Sequence, residues 1–300
     1  MKTILIFTTA LLATMAAPAR AALEVFACEG EWAALAVELG GDLVNAVSAT
    51  TAQQDPHYIQ ARPSLIAKVR TADLVVCTGA DLEVGWLPLL LRQAGNATVQ
   101  PGQTGYMNAS DYVDLLDKPT SVDRSLGDVH PYGNPHIQAD PRNIGKVATA
   151  LAERLAKLDP PNAATYQGRY ANFSARWQAA LDRWTAAIAP LQGRQVVTHH
   201  KGWVYLESWA GLVEVGNLEP KPGLPASAAH LAELLDQLKT KQVAVIIRSV
   251  YEDGKASEWL AGRTSIPYVV LPHTVGSVPG ADDLVGMFDV MVKTLLEARQ

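Results

Sequence analysis

Apolar positions in this chain follow two different periods. Leu23–Cys28, Val44–Ala49 and Asp73–Thr78 are short apolar runs bounded by glycine or polar residues, and they predict strands. Between them, Glu31–Leu39 has helical spacing and stops at Gly40-Gly41. Pro63–Thr71 places Leu65, Ile66 and Val69 on one helical face, although Ser64 cannot cap because Pro63 precedes it. Strand and helix alternate, which implies a parallel α/β layer. A further helix, Arg142–Leu158, is opened by Asp140-Pro141 and broken by Pro160-Pro161. The longest periodic segment then follows. Tyr166, Tyr170, Phe173, Trp177, Leu181, Trp184 and Ile188 form one wide apolar stripe. A helix over residues 161–189 would span roughly 40 Å at 1.5 Å per residue, long enough for a rigid spine packed on two lobes.

After Pro190 and Gly193 the alternation restarts. Strands are predicted at Gln195–Thr198, Val213–Gly216, Val243–Ser249 and Tyr268–Leu271. Helices are predicted at Trp203–Ala210, Ser227–Lys239 with a serine cap, Lys255–Thr264 and Asp282–Glu297. The expected fold is therefore α/β: two α/β lobes with mainly parallel sheets, joined by one long spine helix. The expected division is an N-terminal lobe over 22–159, the linking helix over 160–190 and a C-terminal lobe over 191–300.

Composition narrows the class. The 300 residues are 18% charged and 48% hydrophobic, which is globular, and the net charge of −5 with no basic run argues against nucleic acid as a partner. Lys2, an apolar stretch over 4–17 and the small-x-small end Pro18-Ala19-Arg20-Ala21 read as an export signal, residues 1–21, cleaved after Ala21. No later stretch is long and apolar enough to span a bilayer, so a soluble periplasmic protein, a monomer, is expected. A lipid-attachment box at Val25-Phe26-Ala27-Cys28 competes with this, but Cys28 lies well past the apolar core and its segment reads better as a strand.

The two cysteines, Cys28 and Cys77, end strands that are neighbours in a doubly wound sheet of order 2-1-3. Adjacent strands lie about 4.8 Å apart, close to the Cα spacing a disulfide needs, and export implies an oxidising compartment. A Cys28–Cys77 bridge is expected, with two buried thiols as the alternative.

Candidate chemistry lies in the seven histidines. No close-range metal pair such as HExxH occurs. His57, His136, His200 and His273 instead fall in loops beside predicted strand ends or helix starts, two per lobe, where open α/β sheets bind ligands. Imidazole suits zinc and other borderline transition metals.

The local sequence around these positions resembles a known family. Asp55-Pro56-His57, Arg62-Pro63-Ser64 and Ala72–Gly79 with Glu83 and Trp86 carry the likeness, as do Gly133-Asn134-Pro135-His136 with Asp140-Pro141, and Val196–Trp203 with its His199-His200 pair. The chain is similar to the zinc/manganese solute-binding proteins of ABC transporters, cluster A-I, over nearly the whole mature sequence. That resemblance implies two lobes on one long helix with little hinge motion, capture of Zn²⁺ (Mn²⁺ less so) and delivery to a membrane permease. It assigns His57, His136 and His200 as metal ligands. His199 is the adjacent alternative, and strand alternation sends the pair to opposite faces. The family's usual late aspartate is missing, and Leu271-Pro272-His273-Thr274 aligns His273 there. Should His273 not bind, Asp282, Asp283, Glu252 or water would complete the shell. His130, in a loop that is His-rich in many relatives, reads as a surface residue with metal capture or gating as the sharper alternative, and His230 as structural or solvated.

Imidazoles with few carboxylates favour zinc over manganese. Four protein ligands leave no open position for an activated water, which argues for binding rather than catalysis. A zinc hydrolase using Glu83 or Glu219 as base is the enzymatic alternative, and a periplasmic metal chaperone without a permease is a third. The stiff loop Leu218–Pro225 reads as a turn or as a surface shown to the permease.

Overall fold

The computed structural model describes residues 21–123, 125 and 127–298. Residues 1–20 of the export signal lie outside the described residues.

Among the described residues, eight strands form two four-stranded, all-parallel sheets. The first has order β2-β1-β3-β4, from β1 (Leu23–Ala27), β2 (Val44–Ser48), β3 (Leu74–Cys77) and β4 (Tyr106–Asn108). The second repeats that order as β6-β5-β7-β8, from β5 (Gln195–Thr198), β6 (Val213–Asn217), β7 (Val243–Arg248) and β8 (Tyr268–Val270). The helices are α1 (Gly30–Gly40), α2 (Pro63–Thr71), α3 (Leu87–Ala94), α4 (Pro141–Leu158), α5 (Ala163–Ile188), α6 (Val204–Ala210), α7 (Ala228–Leu238), α8 (Lys255–Thr264) and α9 (Leu284–Glu297). The 2-1-3 order on which the expected bridge rests is present, and Cys28 and Cys77 are disulfide-bonded with Cα atoms 4.7 Å apart.

The predicted strands and helices are present within one or two residues at each end, and α2, β5 and α8 match in full. Two elements escaped the hydrophobic pattern. The strand β4 is three residues long, too short to show a period. The helix α3 is eight residues long and puts Pro88 and Leu89 on its exposed side ahead of Arg92 and Gln93, so the pattern hides its pitch.

Strand alternation divides each sheet between two cores. Leu23, Val25, Ala27, Leu74 and Val76 face inward to the large core, whereas Phe26, Cys28, Val75 and Cys77 pack outward under α2 and α3. In the second sheet Val196 faces the same large core and Val197 the opposite side, with Leu231, Leu234 and Leu260. The inner faces of both lobes therefore share one continuous core. Its centre is α5, 26 residues long. Tyr166, Phe173, Trp177, Trp184 and Ile188 on that helix are all buried. Trp177 stacks on Phe173 and meets Trp184 and Phe288 of α9 edge-on. The helix packs on α1 and α4 in one lobe and on α6 and α9 in the other. Any relative rotation of the lobes would have to break this shared packing.

Candidate metal centre

The site lies where the loops beyond the strand ends of both sheets meet. His57 follows β2, His136 precedes α4, and His200 follows β5. The three rings come together: ligand atoms from His57, His136 and His200 all lie within 4.8 Å of one another, and all three residues are buried. His136 Nε2 and His200 Nε2 are 3.3 Å apart. Ring centroids are 5.3 Å apart for His57 and His136, and 5.5 Å for His57 and His200.

Local sequence explains how each ring is held. Asp55 Oδ1 accepts from the His57 backbone N–H at 3.0 Å and from the ring Nδ1 at 2.7 Å. Pro56 fixes the loop, its carbonyl accepting from Trp86 Nε1 at 2.9 Å. In Asn134-Pro135-His136, Asn134 Oδ1 accepts from the His136 N–H, and its Nδ2 donates to the Lys201 carbonyl at 2.7 Å, tying the His136 loop to the His200 loop. His200 Nδ1 lies 2.8 Å from Glu219 Oε2, at the start of the Pro-rich loop. Gly202 is needed for closeness: a Cβ there would sit 3.3 Å from the His200 ring and 3.5 Å from the His136 ring.

The tautomers follow from these contacts. An ionised carboxylate only accepts, so Nδ1 of His57 and of His200 carries the hydrogen and Nε2 keeps its lone pair. Burial pushes the Asp55 carboxyl up, but the hydrogen bonds from His57 outweigh it, and Asp55 ends below its ordinary range. Burial, followed by the neighbouring His200 and His57 rings, holds His136 well below the usual imidazole range. Bare Nε2 lone pairs, backed by carboxylates, are what a transition metal takes from histidine.

The other histidines fall in different places. His273 is outside the trio. Its ring packs edge-on against Tyr251 at 4.7 Å, and its buried Nδ1 has no hydrogen-bond partner. Burial pushes His273 down to about 4. His199 does turn away from His200, lining a separate cavity of about 340 Å³ with Leu231 and Trp259. His230 Nε2 lies 2.9 Å from the Asn217 carbonyl, a structural contact. His130 is not the surface residue its loop suggested. It is half-buried, with Nε2 3.3 Å from His57 Nε2, and it lines the crevice of about 190 Å³ that leads to His136 and His200.

Sequence reasoning missed the supporting carboxylates. Asp55 was visible only as part of Asp-Pro-His, and Glu219 only as a possible catalytic base; the pairing of each with a ring nitrogen depends on loop geometry. It also missed the buried Glu29 and Glu31 behind the first lobe's site, and named Glu83 only as a motif residue and possible base. Glu29, Glu31 and Glu83 are all buried, and Glu31 Oε2 accepts from Thr274 Oγ1 of the other lobe at 2.6 Å. Glu83 stands close to Cys28 and Cys77, but those sulfurs are bonded to each other and offer no metal site.

Comparisons with known proteins identify the family and the fold. The family described as zinc-uptake complex component A, periplasmic (ZnuA), matches residues 25–298. The high-affinity zinc uptake system protein ZnuA of Bacillus subtilis (strain 168) is 25% identical over 246 residues, covering 80% of this chain and 75% of that protein. Its namesake in Paracoccus denitrificans (strain Pd 1222) is 25% identical over 308 residues, covering 91% and 90%. A crystal structure of a ZnuA superposes with a TM-score of 0.78 over 93% of this chain and 100% of that one, at 22% identity, a likeness of fold.

Proposed function

The chain belongs to the periplasmic zinc-uptake component family, and from that premise we propose that it captures one Zn²⁺ ion between its lobes and delivers it to the permease of an ABC transporter. It is a solute-binding transport component and not an enzyme, so the hydrolase reading falls away. Among the described residues no helix is long and apolar enough to cross a membrane.

One observation carries the reading: the convergence of His57, His136 and His200 at the junction of two lobes. Imidazole-only donors favour zinc over manganese, which prefers oxygen. Asp55 and Glu219 are engaged with ring Nδ1 atoms rather than offered to an ion. The ligand set proposed is this trio together with a fourth group. His273, expected from the sequence, has one observation in its favour, a buried Nδ1 with no hydrogen-bond partner.

Elemental analysis of the purified mature chain is the test. One zinc per molecule is expected, with loss of the metal in H136A and no hydrolytic activity in either protein. Manganese in place of zinc under equal supply would overturn the choice of ion. Stoichiometric metal retained by H136A would overturn the site.

A further inference from the structure

The trio leaves one side of the site open, toward the crevice mouth, and that side carries His130. In a tetrahedral zinc shell with Zn–N bonds of 2.0–2.1 Å, two ligand nitrogens lie about 3.3–3.4 Å apart. His136 and His200 present Nε2 atoms at 3.3 Å, one such edge. His57 and His130 present Nε2 atoms at 3.3 Å, a second edge of the same length, and because His130 lies outside the set of ligand atoms that all fall within 4.8 Å of one another, it completes the shell by drawing in toward His136 and His200.

The hydrogen bonds support the same assignment. His57 spends its ring hydrogen on Asp55 through Nδ1, so its Nε2 is a lone pair. The Ala80 backbone carbonyl lies within hydrogen-bonding reach of the His130 ring. With Nε2 of His130 turned to His57, Nδ1 is left to meet that carbonyl, the arrangement that orients metal-bound histidines. Two such nitrogens facing each other are placed to share a cation.

The His130 loop is also held in place. The Asp128 N–H donates to the Pro222 carbonyl of the Pro-rich loop at 2.9 Å, and the Tyr58 hydroxyl, next to His57, donates to Asp128 Oδ2 at 2.5 Å. Gly127 makes this crossing possible. Its φ is +89°, and a Cβ there would lie 2.2 Å from the Pro222 oxygen. His273 has no comparable approach to the trio.

We infer that His130 is the fourth imidazole ligand of the captured ion, closing the shell on the side of the crevice mouth. The inference rests on the metal-capture reading above. It makes the loop that bridges the two lobes part of the coordination shell, so that ion and mouth close together.

The test loads the mature chain, H130A, H130Q and H273A with Zn²⁺ or Co²⁺. Imidazoles are counted by X-ray absorption, the Co²⁺ visible spectrum is recorded, and Zn²⁺ affinity is measured by chelator competition. Wild type and H273A should show four imidazoles. H130A and H130Q should show three, an altered Co²⁺ spectrum and affinity at least about tenfold weaker, with unchanged circular dichroism. An unchanged count and affinity in both His130 variants would overturn the inference, as would a loss confined to H273A. A wild type that takes up no metal would overturn the capture reading itself, so the two failures are distinguishable.

Discussion

Glu219 Oε2 lies 2.8 Å from Nδ1 of His200 and also accepts from the Gly223 N–H at 2.9 Å. One carboxylate thus orients a ring of the proposed metal site and braces the Pro-rich loop that meets Asp128 across the mouth. Removing its charge while keeping its shape should weaken the metal site and spare the fold. E219Q is expected to bind zinc about 10–100-fold more weakly than wild type, the usual cost of losing a group that backs a metal-bound histidine. Chelator competition on both proteins measures this. Equal affinities would mean that Glu219 only braces the loop.

The shared core predicts little motion. Large hinge closure requires lobes joined by flexible crossovers, and here Trp177, Trp184 and Phe288 interlock along one helix between the sheets. Small-angle scattering profiles of the metal-free and zinc-loaded chain should superimpose. A clear fall in radius of gyration on loading would show that the lobes do close.

The same helix carries a stability prediction. Trp177 is 3% exposed, and its Nε1 donates to the Pro141 carbonyl at the start of α4 at 2.8 Å. W177A removes a buried aromatic and orphans nothing but that carbonyl, so a loss of about 3–5 kcal/mol is expected. Urea denaturation followed through the remaining tryptophans provides the measurement.

How much of this was legible in the sequence varied with the range of the interaction. The 3.6 period of Tyr166–Ile188 is local, so the spine could be read directly, and short apolar runs located the larger strands. The convergence of His57, His136 and His200 is a tertiary fact, and the loops alone offered only positions; the resemblance of the surrounding motifs supplied the grouping. His130 was misread because nothing local distinguishes it from a solvated loop residue. Its approach to His57 depends on Gly127 crossing the Pro222 carbonyl of the other lobe, ninety-five positions along the chain.

The disulfide predicts a cost in chain entropy. Cys28 and Cys77 are separated by 49 positions, and a loop of that size corresponds to about 4 kcal/mol of unfolded-state constraint. The C28S/C77S double variant should be less stable by roughly that amount while still binding metal, because the bridge packs in the outer core under α2 and α3 and neither sulfur belongs to the trio. Chemical denaturation paired with zinc titration separates the two effects, and loss of zinc binding in a folded double variant would contradict it.

A last prediction concerns pH and the second lobe. Glu207 on α6 is driven up to about 8, first by burial and then by the charge of Glu214. Its Oε1 is buried without a hydrogen-bond partner, whereas Glu214 Oε2 accepts from Thr198 and Asn217. Between its ordinary value of 4.5 and about 8, the folded chain holds a proton on Glu207 that the unfolded chain has released. Stability from this group is therefore complete below 4.5 and declines as pH rises toward 8, because the unfolded state binds fewer protons across that window. E207Q keeps the neutral shape at every pH and removes the decline. The melting temperature of E207Q relative to wild type should accordingly be higher at pH 8.5 than at pH 5. A constant difference between the two proteins at both pH values would show that the fold does not hold Glu207 neutral.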